Sequence, residues 1–286
     1  EEIDPGQGSL SQARQIHGKG LSFNNINDSN GALKVLKEFE EPTVVAVKHA
    51  NPCGIGSADS IDEAYIKAYE SDSSSIFGGI IAANREINEK MAREINKIFI
   101  EVVLAPSFSQ EALEILKMKK NIRLMEIENI DNRDYDEFDV KKVLGGILLQ
   151  DRDVELLPDD LEIVTDRSPS EEELEELLFA WKAAKNISSN GVVISKNKAT
   201  IGIGLGEVNR YWAVENALER AGDKLEGSVL ASDGFFPFKD SIELLGKMGI
   251  KAIIQPGGSI KDEEVIETAN KYGIAMLFTK MRHFRH

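Results

Sequence analysis

Residues 44–56 read VVAVKHANPCGIG, and residues 192–204 read VVISKNKATIGIG. Both segments begin with two valines and end in Gly-Ile-Gly. Each valine-rich run predicts a strand, and patterns typical of helices precede and follow each segment. Further strands alternate with helices in the same order in both halves. This order indicates an α/β protein built from an internal duplication.

The predicted elements match one another along the two halves. The first half has predicted helices at 29–39, 61–69, 88–99 and 110–117, and strands at 75–80, 101–106 and 122–127. The second half has predicted helices at 170–185, 208–221, 241–248 and 262–272, and strands at 227–232, 251–256 and 274–278. An acidic linker with one further strand at 143–149 joins them. We expect one unit, with the linker, over 1–142 and a second over 143–286.

The composition limits the class of protein and its partners. The chain has 286 residues, 42% of them apolar and 29% charged, as in globular proteins of two units. No apolar run approaches the roughly 20 residues that cross a bilayer, and the acidic residues 1–4 do not resemble a signal peptide. A single cysteine cannot form an internal disulfide and fits a reducing cytosol. A net charge of −15 argues against non-specific binding of nucleic acid. We expect a cytoplasmic protein with neither nucleic acid nor membrane as a partner.

Lys48 and His49 form the first candidate site, because they follow the apolar run 44–47 directly and precede a Pro/Gly turn. Such a strand end directs side chains out of the sheet, where open α/β folds bind ligands. Histidine exchanges protons near neutral pH, and lysine neutralises an anion or donates a proton. The competing interpretation is a chance basic pair on the surface. The chain also ends in a second basic segment, residues 281–286.

Cys53 and the glycines of 202–206 allow competing interpretations. A deaminase zinc site needs a second cysteine at the position of Gly56, so zinc is excluded there. Cys53 is then either a nucleophile or, as we expect, a small buried thiol. The glycines resemble a phosphate loop, but Glu207 occupies the position of the third glycine of a dinucleotide fingerprint and would repel phosphate.

Residues 235–238 read FFPF after a predicted strand. Side chains alternate along a strand, so the four cannot all face the core. We expect at least one ring in the core and others in a flat apolar slot, with Asp240 at its edge as a hydrogen-bond acceptor. The turn at 256–259, PGGS, either brings backbone N–H groups to a ligand or is a simple tight turn.

Eight segments in order resemble one family, the formyltransferase region of bifunctional purine-biosynthesis proteins. That family joins an AICAR transformylase to an N-terminal IMP cyclohydrolase domain. The matching segments are HGKGLSFNNI (17–26), VKHANPCG (47–54), SIFGGIIAANR (75–85), APSF (105–108), KKNIR (119–123), SDGFFPFKD (232–240), QPGGSIKDEEVI (255–266) and MRHFRH (281–286).

The resemblance implies a fold, a reaction and partners. The family fold is a tandem duplication of cytidine-deaminase-like three-layer α/β/α units that lack the deaminase zinc. The reaction moves a formyl group from 10-formyltetrahydrofolate to the 5-amino group of AICAR, giving FAICAR in de novo purine (IMP) biosynthesis. The resemblance also implies homodimers with active sites at the subunit interface, a cyclohydrolase domain in the full-length protein, and a potassium ion held largely by backbone carbonyls rather than by side chains.

The same resemblance assigns site residues one by one. The residues that match the family's catalytic groups are Lys48, His49, Asn190 and His286. The positions that hold the nucleotide AICAR are Asn25, Glu101, Lys120, Arg210, Arg282 and Phe284. The positions that hold the folate ring are Phe235, Pro237, Phe238 and Asp240. The match at Glu101 is looser, because many members carry aspartate there.

The chain departs from the family at two points. It begins at Glu1 without the upstream segment whose arginine helps hold the nucleotide phosphate, so we expect a fragment with an incomplete site. Glu207 also replaces a usual glutamine. One competing hypothesis is therefore a truncated fragment that binds nucleotide or dimerises without turnover. Another is a zinc-free deaminase-like hydrolase, which the aromatic slot at 235–238 opposes because one base needs no second aromatic pocket.

Overall fold

The computed structural model describes residues 8–133, 138–158 and 161–285. The strands are β1 (Arg14–His17), β2 (Thr43–Lys48), β3 (Asn51–Ser57), β4 (Ile80–Ala83), β5 (Val102–Ala105), β6 (Arg123–Glu126), β7 (Phe138–Val143), β8 (Gly146–Asp151), β9 (Glu162–Ile163), β10 (Val192–Ser195), β11 (Thr200–Gly204), β12 (Val229–Ser232), β13 (Ala252–Gln255) and β14 (Ala275–Phe278). The α-helices are α1 (Phe23–Leu36), α2 (Ile61–Ser71), α3 (Glu89–Asn96), α4 (Gln110–Leu116), α5 (Glu171–Ala184), α6 (Arg210–Ala221), α7 (Asp240–Lys247) and α8 (Asp262–Lys271). Short 3₁₀ helices lie at Leu10–Gln12 and Gly222–Lys224.

Two six-stranded sheets repeat one topology. The first has the order β3-β2-β4-β5-β6-β1, and the second has the order β11-β10-β12-β13-β14-β9. In each sheet the three strands β4–β6 or β12–β14 run parallel, and the other pairings are antiparallel. The prediction of an α/β fold with sheets flanked by helices is confirmed. That these units are cytidine-deaminase-like remains what the resemblance implies.

The two repeated segments form hairpins with the same register. Val44 lies opposite Gly56 in β2–β3, and Val192 lies opposite Gly204 in β10–β11. The glycines serve helix packing, because a Cβ on Gly204 would lie 1.9 Å from the carbonyl oxygen of Ala213 in α6. The Gly-Ile-Gly sequence therefore lets a helix approach the sheet closely in both halves, and it is not a phosphate loop.

Replacement of Gly204 by alanine should destabilise the fold by about 1–3 kcal/mol, because the new methyl group must displace a backbone carbonyl in a packed core. Urea unfolding of the Gly204→Ala variant measures this loss. The matched control is Gly20→Ala, where a Cβ meets no atom within 4 Å. An unchanged urea midpoint for Gly204→Ala would contradict this account of the repeat.

The helices and sheets form five layers. Helices α1 and α5 lie between the two sheets, where Phe39 contacts Phe179 with ring centroids 5.3 Å apart. Helices α2, α3 and α4 cover the other face of the first sheet, and α6, α7 and α8 cover the other face of the second. Both sheets are therefore buried on both faces, which explains their nearly continuous apolar strands.

Edge strands β3 and β11 bring the two sheets together. They run antiparallel, with Gly56 bridged to Ala199 and the Ser57 N–H donating to the Lys198 carbonyl at 2.8 Å. The Ile55 N–H donates to Thr200 Oγ1 at 2.9 Å. This orientation brings the carboxyl end of β2 to the amino-terminal end of β10, and it determines which residues of the two halves can meet.

Some local predictions differ from the structure. Residues 75–79 form a turn before β4 rather than a strand, since Gly78 has a φ of +71°. Helix α1 begins at Phe23, six residues before the predicted start, because Ser22 and Asn25 form a capping box. The strand predicted over 143–149 is a hairpin of β7 and β8 that turns at Leu144-Gly145. The predicted unit boundary at 142/143 lies inside this hairpin and stays a prediction.

Candidate functional site

Lys48 lies at one end of the strands of the first sheet, where β2 ends. Because β2 is antiparallel to β4, the carboxyl end of β2 lies beside the amino-terminal ends of the parallel strands. Val47 lies opposite Ile80, and Val102 lies opposite Arg123. The Lys48 Nζ donates to the carbonyl of Phe77 at 2.8 Å, in the turn before β4. The ammonium group is therefore held at this edge by a backbone contact.

His49 occupies an unusual backbone position next to Lys48. Its φ is +53° and that of Ala50 is +60°, a left-handed region that non-glycine residues seldom adopt. The carboxylate of Asp28 accepts the His49 N–H at 3.0 Å and helps to hold this turn. The imidazole is exposed. Such conformations persist where the surroundings impose them and are frequent at functional sites.

Glu101 and Asn25 contact each other at the same edge. The Asn25 Nδ2 donates to Glu101 Oε2 at 2.7 Å, and the Arg123 guanidinium lies 3.6 Å from the same oxygen. The Asn25 Oδ1 also accepts the N–H of Ser22 at the start of α1. The amide of Asn25 thus has protein partners at both ends. Lys120 is exposed shortly before β6, on this edge.

Asn190 precedes β10 and contacts Arg210 and Glu207. Its Oδ1 accepts a hydrogen bond from Arg210 Nη2 at 2.8 Å, and its Nδ2 donates to the Glu207 carbonyl at 2.8 Å. The Glu207 carboxylate accepts a hydrogen bond from Asn216 in α6 at 2.7 Å. The negative charge of Glu207, which stands in place of the usual glutamine, is therefore turned toward α6. The backbone carbonyl of Glu207 orients Asn190.

A buried ion pair lies beneath Asn190. Arg210 is 6% exposed and pairs with Asp233, which is fully buried after β12. Arg210 also donates to the Gly191 carbonyl at 3.0 Å, and Asp233 accepts the Gly191 N–H at 3.1 Å. The second oxygen of Asp233, Oδ2, has no hydrogen-bond partner among the described residues. Asp233 was not among the residues predicted from the sequence, although a charged residue directly after an apolar strand was the available signal.

Aromatic side chains and Arg282 form the outer part of this region. Phe236 is fully buried, Phe235 and Pro237 are half-buried and Phe238 is 59% exposed. One ring, that of Phe236, thus lies in the core as expected, whereas the flat apolar slot stays a prediction. The Arg282 guanidinium lies 4.8 Å from the ring centroid of Phe235 and 5.8 Å from that of Phe284. The Arg282 guanidinium thus lies within cation–π distance of two rings.

The two regions meet across the edge strands. Ser188 Oγ donates to the side-chain oxygen of Asn51 at 3.0 Å, two residues from Asn190 and two from His49. A small cavity of about 190 Å³ extends from Lys48 and His49 to Leu205 in the second half. The first half contributes the carboxyl end of β2, and the second contributes the start of β10. These contacts join the turn that carries Lys48 and His49 to the segment before β10, two residues from Asn190.

Several predicted residues contribute less to this surface. The Asp240 carboxylate is exposed and accepts the N–H of Ser241 at 2.7 Å. The N–H groups of Gly258 and Ser259 both donate to Asp262, so the PGGS segment is a tight turn closed by a side chain. His286 lies outside the described residues, and its assignment stays a prediction.

Cys53 has the environment of an unreactive thiol. Burial, with a contribution from the negative charge of Asp72, raises its pKa to about 12. Its Sγ donates weakly to the Ala46 carbonyl at 3.5 Å. Among the described residues, no three His, Cys, Asp or Glu side chains cluster in a way that would hold a metal ion. Cys53 is half-buried at the cavity beside Lys48 and His49, so the interpretation as a small buried thiol is met in part.

Alkylation of Cys53 by iodoacetamide at pH 8 should be about 100-fold or more slower than that of a free thiol, because so little thiolate is present below its raised pKa. Mass spectrometry of timed samples measures the rate, and the urea-unfolded chain is the control that should react normally. Equal rates in the folded and unfolded chains would contradict this prediction.

Comparison with known proteins places the chain in a family. The family described as AICARFT/IMPCHase bienzyme matches residues 2–220, more than half of the chain. The chain belongs to the AICARFT/IMPCHase bienzyme family. Its relatives in this family include a bifunctional purine biosynthesis protein PurH from Acetivibrio thermocellus, 58% identical over all of this chain and 56% of the relative.

Further bienzyme-family relatives show similar coverage. The PurH of Ruminiclostridium cellulolyticum is 56% identical over 100% of this chain and 56% of its own length. That of Caldicellulosiruptor saccharolyticus is 55% identical over 97% of this chain and 54% of its own length. The chain thus spans about half the length of these relatives. In the part of the chain that the structure describes, no helix is long and apolar enough to cross a membrane.

Proposed function

We propose that this chain carries the AICAR transformylase activity of a purine-biosynthesis enzyme. It would transfer a formyl group from 10-formyltetrahydrofolate to the 5-amino group of AICAR. The observation that carries the proposal is the meeting of the two halves, where the Ser188–Asn51 contact of 3.0 Å joins the Lys48-His49 end of β2 to Asn190. Family membership and the bifunctional purine biosynthesis relatives support the choice of reaction.

The chemistry requires a base and donors for a developing negative charge. The AICAR amine is a weak nucleophile because its lone pair is delocalised into the ring. As its nitrogen bonds to the formyl carbon, His49 takes the proton that the nitrogen loses. Lys48 and the second N–H of the Asn190 amide stabilise the formyl oxygen as it gains charge. The bond from the formyl carbon to N10 of the folate then breaks, and N10 is protonated.

Substrate placement follows from the charged and aromatic groups. Arg282 and Phe284, with Lys120, Asn25 and Glu101, would hold AICAR. The exposed ring of Phe238, with Phe235, Pro237 and Asp240, would hold the folate ring. Arg210 is buried against Asp233 and Asn190, so we assign it a positioning role: it fixes the amide of Asn190. Positioning two bound substrates contributes as much to such a transfer as the proton transfer does.

The surroundings of Asp233 suit the potassium ion that the family resemblance implies, for one structural reason. The Oδ2 atom of Asp233 is a buried carboxylate oxygen without a hydrogen-bond partner among the described residues. An oxygen of this kind suits a hard monovalent cation, which would supply a fixed positive charge beside Asn190. Asp233 and neighbouring backbone carbonyls are the groups that would hold it. The reaction proposed above does not depend on a step at this ion.

The hairpin β7–β8 has an exposed apolar face that a second copy of the chain would cover. The apolar side chains Phe138, Val140, Ile147 and Leu149 share one face of this hairpin and are 55–68% exposed. The opposite face, which carries Asp139, Lys141, Leu148 and Gln150, lines a cavity against the body of the protein. An apolar face turned to solvent is typical of an interaction surface. We therefore propose a homodimer that covers it, as the family resemblance implies.

The double variant Ile147→Ser and Leu149→Ser should shift the protein from dimer to monomer and lower formyl transfer with it, because it removes two apolar side chains from the interface. Light scattering after size-exclusion chromatography gives the mass. Met118→Ser is the matched control, since Met118 is 66% exposed away from the hairpin. A hairpin variant that remains fully dimeric would contradict the assignment of this face.

The test of the proposed function is formyl transfer by the chain itself. Absorbance follows conversion of 10-formyltetrahydrofolate in the presence of AICAR, and calorimetry follows AICAR binding in parallel. Turnover that needs both substrates would establish the proposal. Binding without turnover would support the second candidate, a chain that binds nucleotide without catalysing the transfer. Neither binding nor turnover would overturn both.

A further inference from the structure

The hairpin that carries the proposed base turns at His49 and Ala50. These residues have φ of +53° and +60°, and on either side of them Lys48 lies opposite Asn51. A two-residue hairpin turn with left-handed backbone at both positions favours Asn-Gly, because these residues adopt that conformation most readily. A His-Ala pair is unfavourable there, so contacts outside the two residues must hold the turn.

Neighbouring side chains hold the backbone of His49 from both sides. The carboxylate of Asp28 in α1 accepts the His49 N–H at 3.0 Å, and Asn51 Nδ2 donates to the His49 carbonyl at 3.0 Å. Helix α1 also lies close to the turn at Gly31, where a Cβ would lie 2.8 Å from the Ala50 carbonyl oxygen. These contacts fix the backbone that carries the exposed imidazole.

Asn51 also contacts the second half of the chain. Its Oδ1 accepts a hydrogen bond from Ser188 Oγ at 3.0 Å, so both ends of its amide have a protein partner. The Ser188 carbonyl accepts the Gly206 N–H at 2.8 Å, in the loop between β11 and α6. Because Ser188 is two residues before Asn190, the Asn51 amide links the backbone of the proposed base to the segment that carries the proposed donor to the formyl oxygen.

The corresponding turn of the second hairpin closes without an amide at this position. In the aligned segments 44–56 and 192–204, Asn51 corresponds to Ala199. The central residues of that turn, Asn197 and Lys198, have φ of +56° and +54°. Ala199 exchanges two backbone hydrogen bonds with Lys196, at 3.0 and 3.2 Å. An alanine thus suffices to close a turn of this kind, and the side chain of Asn51 makes contacts beyond those that the turn requires.

We propose that Asn51 is a positioning residue for formyl transfer, a role that rests on the function proposed above. It holds His49 in a fixed relation to the segment before β10, so that the imidazole reaches the amine nitrogen while Asn190 reaches the formyl oxygen. Such placement matters, because a displacement of about 1 Å lowers turnover about 100-fold. Protein groups engage the Asn51 amide at both ends, so Asn51 acts through His49 rather than on a substrate.

The variant Asn51→Ala should lower kcat for formyl transfer about 10- to 100-fold and leave the AICAR dissociation constant within about twofold, because the backbone of the base is no longer held from one side. The fold should persist, since alanine closes the corresponding turn at position 199. Steady-state rates, calorimetric titration and urea unfolding measure these three properties. Asn88→Ala is the matched control: it removes a half-buried amide with two protein partners at the start of α3, and kcat should not change.

Two further measurements distinguish positioning from a general structural role. Ser188→Ala should lower kcat in the wild-type chain but have no further effect in Asn51→Ala, because both substitutions break one contact. Hydrogen exchange followed by mass spectrometry reports on the same contact without substrates. Exchange of the peptide that covers 47–53 should become about tenfold faster or more in Asn51→Ala, whereas the turn at 196–199 should exchange as before.

The outcomes separate this role from the function on which it rests. A wild-type chain without formyl transfer would overturn the proposed function and, with it, the role of Asn51. Turnover by the wild-type chain together with an unchanged kcat in Asn51→Ala would overturn the role alone. Additive losses of kcat from Asn51→Ala and Ser188→Ala, or unchanged hydrogen exchange at 47–53, would also contradict it.

Discussion

Replacement of His49 by alanine should lower kcat for formyl transfer about 100- to 10,000-fold, the usual range for loss of a positioned general base. AICAR binding should change little, because the nucleotide contacts are assigned to other groups such as Arg282 and Phe284. The reason lies in the position of His49: it is exposed at the carboxyl end of β2, on a turn held by Asp28. Steady-state rates and calorimetric titration separate the two effects.

Alanine at position 49 also changes the backbone preference, since His49 has a φ of +53°. The variant His49→Asn controls for this, because asparagine adopts left-handed conformations readily but cannot act as a base at neutral pH. We expect it to be folded, to bind AICAR and to be as inactive as His49→Ala. Unchanged turnover in His49→Asn would remove His49 from the mechanism.

Replacement of Asp233 by alanine should destabilise the protein by about 3–5 kcal/mol, because it leaves the buried guanidinium of Arg210 without its counter-charge. Both side chains are at most 6% exposed. Urea unfolding measures the loss. The surface pair of Lys239 and Glu243, 3.8 Å apart, supplies the matched comparison, and Glu243→Ala should cost at most about 1 kcal/mol.

A second variant separates the charge from the packing around Asp233. Combining Asp233→Leu with Arg210→Met removes both charges and should recover much of the stability lost in Asp233→Ala. It should not recover formyl transfer, because Arg210 no longer orients the amide of Asn190. A cost below about 1 kcal/mol for Asp233→Ala would show that the pair does not support this part of the fold.

The repeated segments predicted the fold well because their physical requirements are local. Runs of valine and paired glycines follow from strand burial and from close helix packing, and both occur in each half. The edge strands β1 and β9 were not predicted, because four and two residues carry too little pattern. The capping box at Ser22 was missed because its partner is Asn25, whereas the usual sequence signature has Glu or Gln at that position.

The candidate site was predicted in part. Lys48 and His49 stand out in the sequence as a basic pair after a strand. The rule that open α/β folds bind ligands at the carboxyl ends of parallel strands, however, did not predict their position. Lys48 lies beside the amino-terminal ends of β4, β5 and β6, whereas Asp233 follows the carboxyl end of β12. The two sheets have the same topology, but the candidate residues lie at the amino-terminal ends of the parallel strands in the first sheet and at their carboxyl ends in the second. The antiparallel contact of β3 with β11 brings these ends of the two sheets together, and no local pattern reveals that contact.

The same contact explains why residues far apart in sequence converge on the site. Asn51 and Ser188 touch although 137 positions separate them. Arg285 then fixes Ser189 through two hydrogen bonds: its carbonyl accepts the Ser189 N–H at 2.9 Å, and its N–H donates to Ser189 Oγ at 3.1 Å. The C-terminal segment thus holds the start of β10 in position. Site geometry here depends on how the two sheets pack, and the individual motifs supply only the chemistry.

The most direct test of the composite site is a crystal structure with AICAR and an unreactive folate analogue bound. We predict that the AICAR contacts Lys48 or His49 from the first half and Arg282 or Phe284 from the second half, with the folate ring against Phe238. AICAR bound by residues of one half only, or bound away from the edge where Asn51 meets Ser188, would contradict the account.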